Sequence, residues 1–418
     1  MLEVTGTYGS AKIFTDIVEK EAEDQVVKML SHEITKGTKV RMMPDIHAGK
    51  GATIGTTIKL PENFEDWKVC PNVVGVDVGC GMMFYKLANK NIDLIKLDKV
   101  VNTKVPSGYA VHESPKMEET IRELISKLSF NLGEKVKERI VHSLGTLGGG
   151  NHFIELGVDE EGFYWLSVHS GSRNLGTQVA GVHQEIAMKL LEANQDNSKE
   201  IIEQLKREGR HREISQVLKE YKENHKALTK EDLDLAFLTG DLLKDYLSDM
   251  VIAQKFAELS RMTMLNIISN EMKFSIIDDF DSVHNFIEHD NFTNGIIRKG
   301  ATSAKDGERL VIPLNMRDGS IICIGRGNED WNESAPHGAG RIMSRSKASK
   351  ELKMEDFKEQ MKGIYSSSIM ESTLDEAPEA YKPAQSILDN IKDTADVLHL
   401  VKPVYNFKAH EEKKEWKK

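Results

Sequence analysis

Histidine, cysteine and acidic side chains recur in short glycine- or serine-rich segments of this chain. Asp77 and Cys80 stand three residues apart in GVDVGCGM. His152 follows three glycines in GGGNHFIE, His169 ends an apolar stretch in SVHSGSR, and His284 follows an apolar run in DSVHN. Thiolate, imidazole and carboxylate groups are ligands that proteins offer to divalent metals. Each motif alone is simply interpreted as a turn or a satisfied buried side chain, but together they indicate a metal site.

This ligand set is larger than one metal ion requires, which indicates two ions that share a ligand. Ligand type leaves the metal open among zinc, cobalt and manganese. The glycines 148–150 would let backbone amides approach an anion. Ser170, Ser172 and Arg173 add hydroxyl and guanidinium groups that suit a phosphate.

A further histidine, His337, lies between a proline and small residues in APHGAGR. Small neighbours allow a large ligand to come close, and three roles are open: metal ligand, proton carrier or nucleophile. Asp45 and His47 in the expected turn PDIHAGKG, and His289 in DSVHNFIEH, are ambiguous in the same way. For these three an ordinary turn or loop position is the simpler interpretation.

Composition describes a soluble globular protein with a sizeable core, since 39% of its 418 residues are hydrophobic and 29% are charged. Three cysteines are too few for a disulfide framework. We therefore expect a cytoplasmic location, with no signal peptide and no membrane span. A net charge of −10 argues against a general polyanion-binding surface. A local basic segment does occur at residues 337–350, which contain no acidic residue.

The motifs all fall in segments that read as strands broken by glycine-rich turns, among them 38–55 and 72–87. A helical segment is expected near 117–141, and residues 181–270 read as a charged helical insertion of solvated helices without chemistry of its own. We predict a β-rich body with this insertion, forming one catalytic domain over residues 1–409. A charged tail follows at 410–418.

Seven ordered motifs, PDIHAGKGATIG, GVDVGCGM, GTLGGGNHFIE, HSGSR, VHN, RKGAT and HGAGRxxSR, resemble those of the RtcB-type RNA-splicing ligases. The resemblance spans roughly residues 35–409 and implies the family's α+β fold. It also implies joining of 2′,3′-cyclic phosphate or 3′-phosphate RNA ends to 5′-hydroxyl ends. GTP and two manganese ions per active site serve that reaction, which passes through a histidinyl-GMP enzyme and an RNA-3′-pp-5′-G intermediate.

Five positions match the metal ligands of that family. By resemblance, Asp77, Cys80 and His152 hold one manganese ion. Cys80, His169 and His284 hold the other, so that Cys80 is shared between the two ions.

His337 corresponds to the residue that becomes guanylylated in the family. The other positions that match guanylate contacts are Asn151, His152, Phe153, Ile154, Glu155, His284, Asn285, Pro313, Leu314, Asn315, Met316, Ser320, Gly338, Ala339, Gly340 and Lys408. The positions that match phosphate or RNA contacts are Arg173, Arg341 and Arg345.

Two segments depart from the family pattern. PLNMRDGS at 313–320 replaces a common Pro-Gly-Ser-Met-Gly sequence, and Lys408-Ala409 with nine further residues replaces a final Lys-Gly pair. These departures suggest a divergent bacterial branch that repairs cleaved tRNA or rRNA, with an archease-type activator as a further implied partner. Two alternatives stay open: a metal-dependent 2′,3′-cyclic phosphodiesterase that does not need His337, and a non-catalytic factor that binds RNA ends.

Overall fold

The computed structural model describes residues 1–195, 198–208, 210–217 and 228–409 of the chain. The strands are β1 (Leu2–Thr5), β2 (Ser10–Ile13), β3 (Lys39–His47), β4 (Ile54–Lys59), β5 (Gly81–Leu87), β6 (Phe153–Val158), β7 (Tyr164–Ser170), β8 (Ile276–Val283), β9 (Asn285–Asp290), β10 (Thr293–Lys299), β11 (Ala301–Ser303), β12 (Arg309–Asn315), β13 (Gly319–Gly325), β14 (Ser334–Pro336) and β15 (Ala395–Lys408). The helices span Lys20–Leu30, Pro71–Val74, Leu94–Lys104, Glu118–Ser126, Glu134–Ser143, Arg173–Gln195, Ser198–Arg207, Lys230–Asp234, Gly240–Met272, Arg345–Glu351, Met354–Gln360 and Ala384–Asn390. Helices and strands are both abundant, so the predicted α+β class is confirmed. The predicted tail at 410–418 lies outside the described residues.

The strands that carry most of the motifs form one antiparallel sheet, in the order β12-β13-β15-β6-β7-β5-β8. The register of this sheet aligns the ends of neighbouring strands. Phe153 of β6 pairs with both His169 of β7 and Lys408 of β15. Gly81 of β5 pairs with Val283 of β8. Residues that lie just before β5 and β6 and just after β8 therefore meet at the same end of the sheet.

This seven-stranded sheet curls until its outer strands approach each other. Arg309 of β12 donates to the Asp278 carboxylate of β8, with 2.5 Å between Nη1 and Oδ2. Inside the curl, Phe84 stacks on Phe280 with ring centroids 5.4 Å apart, and Trp165 meets the Phe84 ring edge-on at 6.2 Å. Burial of these large rings supplies several kcal/mol of hydrophobic stabilisation, at roughly 25 cal/mol per Å².

A second, six-stranded sheet has the order β1-β2-β3-β4-β10-β9, and β11 pairs separately with β14. Asp45 and His47 lie on β3, so the expectation of a turn at these residues is wrong. Ala301 of β11 pairs with Pro336 of β14 and also donates its N–H to the His284 carbonyl, 3.2 Å away. These pairings bring His337, the residue after β14, beside His284.

The helical region differs from the solvated insertion that we predict from its charge. A helix starts already at Arg173, and the helix Gly240–Met272, called here the central helix, is buried along much of its length and contacts β5 and β7. Although its sequence is rich in charged residues, this helix has an apolar face that includes the fully buried Phe256 and Leu265. The central helix thus belongs to the body of the protein.

Two smaller expectations also need correction. The segment NVVG, expected to be part of a strand, forms the short helix Pro71–Val74, which begins with a proline in its first turn. The helix expected near 117–141 is interrupted, with separate helices at Glu118–Ser126 and Glu134–Ser143. Among the described helices, none combines the length and the apolar character needed to cross a membrane.

Candidate active site

Five side chains from four strand ends converge in one buried cluster. Cys80 Sγ lies 3.6 Å from His152 Nε2 and 3.3 Å from His169 Nε2. His169 Nε2 lies 3.3 Å from His284 Nε2, and His152 Nε2 lies 3.0 Å from Asp77 Oδ2. Two groups with ligand atoms within 4.8 Å result: Asp77–Cys80–His152 and Cys80–His169–His284. The structure thus brings together all five residues that we predict as metal ligands, with Cys80 in both groups.

Backbone groups around the cluster fix the ligand atoms. The Leu147 carbonyl accepts the Nδ1 proton of His152 at 2.8 Å, which leaves the lone pair of Nε2 facing Asp77 and Cys80. Gly171, in HSGSR, is needed for close approach, because a Cβ atom at this position would collide with the Asp77 carboxylate. The glycine in this motif therefore serves the ligand position itself.

A buried guanidinium on the central helix contacts the segments that carry the cluster. Arg261 donates to the carbonyls of Gly79 and Ser170, each at 2.8 Å, and these residues flank Cys80 and His169 in sequence. The same guanidinium binds Asp281 of β8 in a bidentate pair at 2.7 and 2.6 Å. Arg261 lies in the charged helical region, and no local sequence pattern marks it for this role.

The protonation chemistry of the cluster suits a bound cation. Burial, and then the neighbouring imidazoles, hold the pKa of His169 and of His284 well below the usual histidine range, so both rings are neutral ligands. Burial and the Asp77 carboxylate raise the pKa of the Cys80 thiol. Burial would raise the pKa of the Asp77 carboxyl group, but its contacts with His152, Cys80 and Arg173 outweigh burial and lower that pKa. Converging imidazole lone pairs beside a thiol and a carboxylate fit divalent metal ions.

His337 adjoins this cluster but is held by a different partner. Its Nδ1 atom lies 2.7 Å from Oδ2 of Asp45, and its ring centroid lies 4.8 Å from that of His284. When Nδ1 donates to Asp45, Nε2 keeps its lone pair. Gly340 is needed for the close approach of β3, since a Cβ there would lie 2.7 Å from the Asp45 carbonyl oxygen, and it also lines the neighbouring cleft. Gly338 borders the neighbouring cleft.

That cleft has a cavity volume of about 190 Å³ and is partly open to solvent. The predicted contact residues that line it are Asn151, Phe153, Glu155, His169, Pro313, Leu314, Asn315, Met316, His337, Gly338, Ala339, Gly340, Arg341, Arg345 and Lys408. Ile154 and Ser320 are instead fully buried, and Ile154 packs into the core on the other face of β6. Asn285 holds the loops together, accepting from the Gly300 N–H at 2.8 Å.

The loop 313–320, which departs from the family sequence pattern, lies at one side of the cleft and is held by hydrogen bonds among its own residues. The side-chain oxygen Oδ1 of Asn315 accepts from the backbone N–H groups of Arg317 and Asp318, at 3.0 and 2.9 Å, and Arg317 pairs with the Asp318 carboxylate at 2.7 Å. These bonds form an Asx-type turn. The polar side chains of PLNMRDG therefore support the loop, while Leu314 and Met316 are buried.

A buried carboxylate that the sequence analysis missed joins the cations of the cleft. Glu376 lies 2.5 Å from the Lys408 ammonium and 2.6 Å from Arg345 Nη1, and it accepts from the Tyr381 hydroxyl at 2.6 Å. Burial alone would raise its pKa, but Lys408 and Arg345 outweigh burial and lower the pKa to about 2. The motif EAPEAYK is acidic and aromatic without metal-ligand spacing, so no local pattern marks it as part of a site.

The three predicted phosphate-contact arginines have protein partners. Arg341 is engaged by the Met343 and Asp375 carbonyls at 3.0 and 2.6 Å, and Arg345 pairs with Asp375 and Glu376. Both guanidinium groups of the basic segment 337–350 are therefore paired within the protein. The third, Arg173, donates to the Gly108 carbonyl, and a Cβ on Gly148 would collide with its guanidinium. Their contacts with RNA stay a prediction.

The fold and the site together define an α+β protein with a buried thiol–imidazole–carboxylate cluster beside a ligand-sized cleft. The sequence model of one family, tRNA-splicing ligase RtcB, matches residues 25–409. The chain therefore belongs to the RtcB family, as the ordered motifs predict.

Individual relatives are similar over nearly the same span, at modest identity. The RNA-splicing ligase RtcB of Escherichia coli K12 is 28% identical over 397 residues, covering 87% of this chain and 88% of the relative. The tRNA-splicing ligase RtcB of Aeropyrum pernix is 27% identical over 443 residues, covering 86% and 84%. That of Archaeoglobus fulgidus is 26% identical over 466 residues, covering 91% and 89%.

Proposed function

We propose that this protein is a GTP- and manganese-dependent RNA ligase that joins 2′,3′-cyclic phosphate or 3′-phosphate ends to 5′-hydroxyl ends. One observation carries the proposal: His337 has Nδ1 bound to a buried carboxylate while it adjoins both the five-ligand cluster and the cleft. An imidazole oriented in this way is prepared for nucleophilic attack through Nε2. Membership of the RtcB family supports the same class of enzyme.

In the first proposed step, Nε2 of His337 attacks the α-phosphorus of GTP. A phosphorus–nitrogen bond forms, the bond to the bridging oxygen of the β-phosphate breaks, and pyrophosphate leaves. The ring gains positive charge as it attacks, and Asp45 stabilises that charge through the Nδ1 proton at 2.7 Å. Asp45 thus orients the nucleophile and favours its reaction.

Two further transfers complete the joining of RNA. An oxygen of the RNA 3′-phosphate attacks the histidine-bound phosphorus, which frees His337 and gives RNA-3′-pp-5′-G. The 5′-hydroxyl of the second RNA then attacks the 3′-phosphate, and GMP leaves with the electron pair of the broken bond. A 2′,3′-cyclic phosphate is first opened by water to a 3′-phosphate.

The cluster of Asp77, Cys80, His152, His169 and His284 would hold two manganese ions, which would supply charge neutralisation for the phosphates. Arg261 keeps the loops that carry these ligands in place. Lys408, anchored by Glu376, presents a cation in the cleft. Broken tRNA or rRNA is the proposed substrate, an archease-type protein the proposed activator, and the cytoplasm the proposed location.

The proposal is tested by incubating the full chain with two RNA strands, one with a 3′-phosphate and one with a 5′-hydroxyl. We expect joined product only when GTP and Mn²⁺ are both present, and no joined product with His337→Ala. Opening of a 2′,3′-cyclic phosphate that needs metal but neither GTP nor His337 would instead indicate a phosphodiesterase. RNA binding without any chemistry would indicate an end-binding factor.

A further inference from the structure

A pair of polar side chains at the inner end of the cleft has unused acceptor atoms. Glu155 of β6 and Asn406 of β15 are opposite each other in the sheet, and both line the cleft. The Asn406 amide nitrogen donates to Oε2 of Glu155 at 2.9 Å. Across the described residues, neither the other oxygen of Glu155 nor the Asn406 carbonyl oxygen has a hydrogen-bond partner, although both are buried.

Buried acceptors without donors are costly, at about 1–3 kcal/mol each, so such a pair indicates a missing ligand with donors. Because the amide nitrogen donates to Glu155, the two free atoms are both oxygens, and both need hydrogen-bond donors once Glu155 is ionised. Burial is also the main cause that raises the pKa of Glu155 to about 8, against the opposing effects of Asn406 and Lys408. A ligand with donors would stabilise the ionised carboxylate.

The chemistry of the purine bases distinguishes the candidates. Guanine presents two adjacent donors on one edge, the N1–H group and the 2-amino group, whereas adenine has an acceptor at N1 and no 2-amino group. Hypoxanthine keeps the N1–H donor but lacks the 2-amino group. The ring of Phe153, which also lines the cleft, gives such a base a flat surface for stacking.

We propose that Asn406 is a specificity-determining residue that fixes the Glu155 carboxylate and supplies a second acceptor, for the 2-amino group of guanine. This inference rests on the proposed function, because it assumes that the cleft receives the base of GTP. Asn406 was not among the contact positions that the family resemblance implied. The amide therefore adds a base-reading contact that this chain has built beside Glu155.

Equilibrium binding tests this role without requiring catalysis. Calorimetric titration of the full chain with GTP and with ITP, the hypoxanthine nucleotide, measures the value of the 2-amino group. We expect wild type to prefer GTP by about 10-fold or more, since loss of the donor leaves a buried acceptor unpaired. Asn406→Leu, similar in shape but without the acceptor, should bind GTP more weakly and reduce the preference to about threefold or less.

An unchanged GTP-to-ITP ratio in Asn406→Leu would overturn the inference. Asn406→Ser serves as the second variant if the leucine variant does not fold, because its shorter side chain also withdraws the carbonyl group. Failure of the proposed function has a different signature: wild type would form no covalent adduct with GTP, while the binding ratios would still report on Asn406. Absence of GTP binding by folded wild type would reject both.

Discussion

Two clusters of metal-ligand side chains lie at opposite ends of strand β6, and their surroundings differ. The candidate active site includes His152, just before β6, and a second group combines Asp159 and Glu161, just after β6, with His399 of β15. Within each three-residue group of the active-site cluster, and within the second cluster, the possible ligand atoms lie within 4.8 Å of one another. Residue types and distances alone would make both of them metal sites.

The second cluster already contains its own positive charge. The Lys86 ammonium lies 3.8 Å from Asp159 Oδ2 and 3.7 Å from Glu161 Oε2. Asp159 also accepts hydrogen bonds from the Trp165 indole and the Phe163 N–H, both at 2.8 Å, and so caps the hairpin between β6 and β7. A cluster that satisfies its own charges and hydrogen bonds is structural, whereas one with converging, unpaired lone pairs is prepared for a cation.

The largest expected effect is on metal binding. His169→Ala removes a ligand from the active-site cluster and should weaken Mn²⁺ binding by more than ~100-fold, beyond the usual effect of losing an outer partner. His399→Ala is the matched control in the second cluster, and its Mn²⁺ affinity should equal that of wild type. Titration calorimetry with Mn²⁺ measures both. Equal losses in the two variants would mean that the comparison between the clusters is wrong.

Replacement of either of two internal cations, Arg261 or Lys86, is expected to lower stability, and Arg261 should matter more. Arg261→Met leaves the Asp281 carboxylate and two carbonyl groups without their donor, which should lower the free energy of unfolding by about 3–5 kcal/mol. Lys86→Met removes longer-range pairs and a contact with the Phe163 ring, which should cost about 1 kcal/mol. Urea denaturation measures both, and a cost for Lys86→Met as large as that for Arg261→Met would contradict this ranking.

These differences show what the sequence could and could not reveal. Each predicted metal ligand lies at or beside a strand end in a glycine- or serine-rich motif, so local pattern was sufficient to single out all five residues of the cluster. Arg261 was hidden because its partners are backbone carbonyls and Asp281, which are distant in sequence and meet only through the sheet register. The same distance effect made the central helix look solvated, since only the three-dimensional packing shows which of its faces is buried.

The cleft-lining residues that lie in the family motifs could be predicted from the sequence, and the others could not. Phe153 and Glu155 follow the GGGNH motif on a strand, and side-chain alternation along β6 sends both into the cleft and Ile154 into the core. Asn406 and Glu376 carry no recognisable spacing. Asn406 contacts Glu155, and Glu376 contacts Lys408. A linear sequence pattern does not specify these contacts.

A further expected effect is a contrast in pH dependence between the two ends of β6. Glu155 has a pKa raised to about 8, so the folded state binds its proton more tightly than the unfolded chain. The contribution of Glu155 to the free energy of unfolding should therefore be fully present below pH ~4.5. It should decline by a few kcal/mol, on the order of 1 kcal/mol per pH unit, as pH rises to about 8. Burial would raise the pKa of Asp159, but the hydrogen bonds from Trp165 and Phe163 lower it. Its contribution is present above the ordinary carboxyl range and is lost as pH falls.

Thermal unfolding across pH separates these two contributions. Glu155→Gln should flatten the alkaline decline and leave the acid side unchanged, whereas Asp159→Asn should flatten part of the acid decline only. If Glu155→Gln leaves the slope between pH ~5 and ~8 unaltered, the buried carboxyl group is not protonated in the folded protein.

The central claim is that His337 is the nucleophile, and locating the attached nucleotide tests it most directly. The protein is mixed with Mn²⁺ and GTP labelled at the α-phosphate, digested, and the labelled peptide is sequenced by mass spectrometry. We predict one guanylyl group on His337, stable in alkali, labile in acid and released by RNA with a 3′-phosphate. The label should vanish in His337→Ala while Mn²⁺ binding is retained. A label on any other residue, or none on wild type that binds both Mn²⁺ and GTP, would contradict the account.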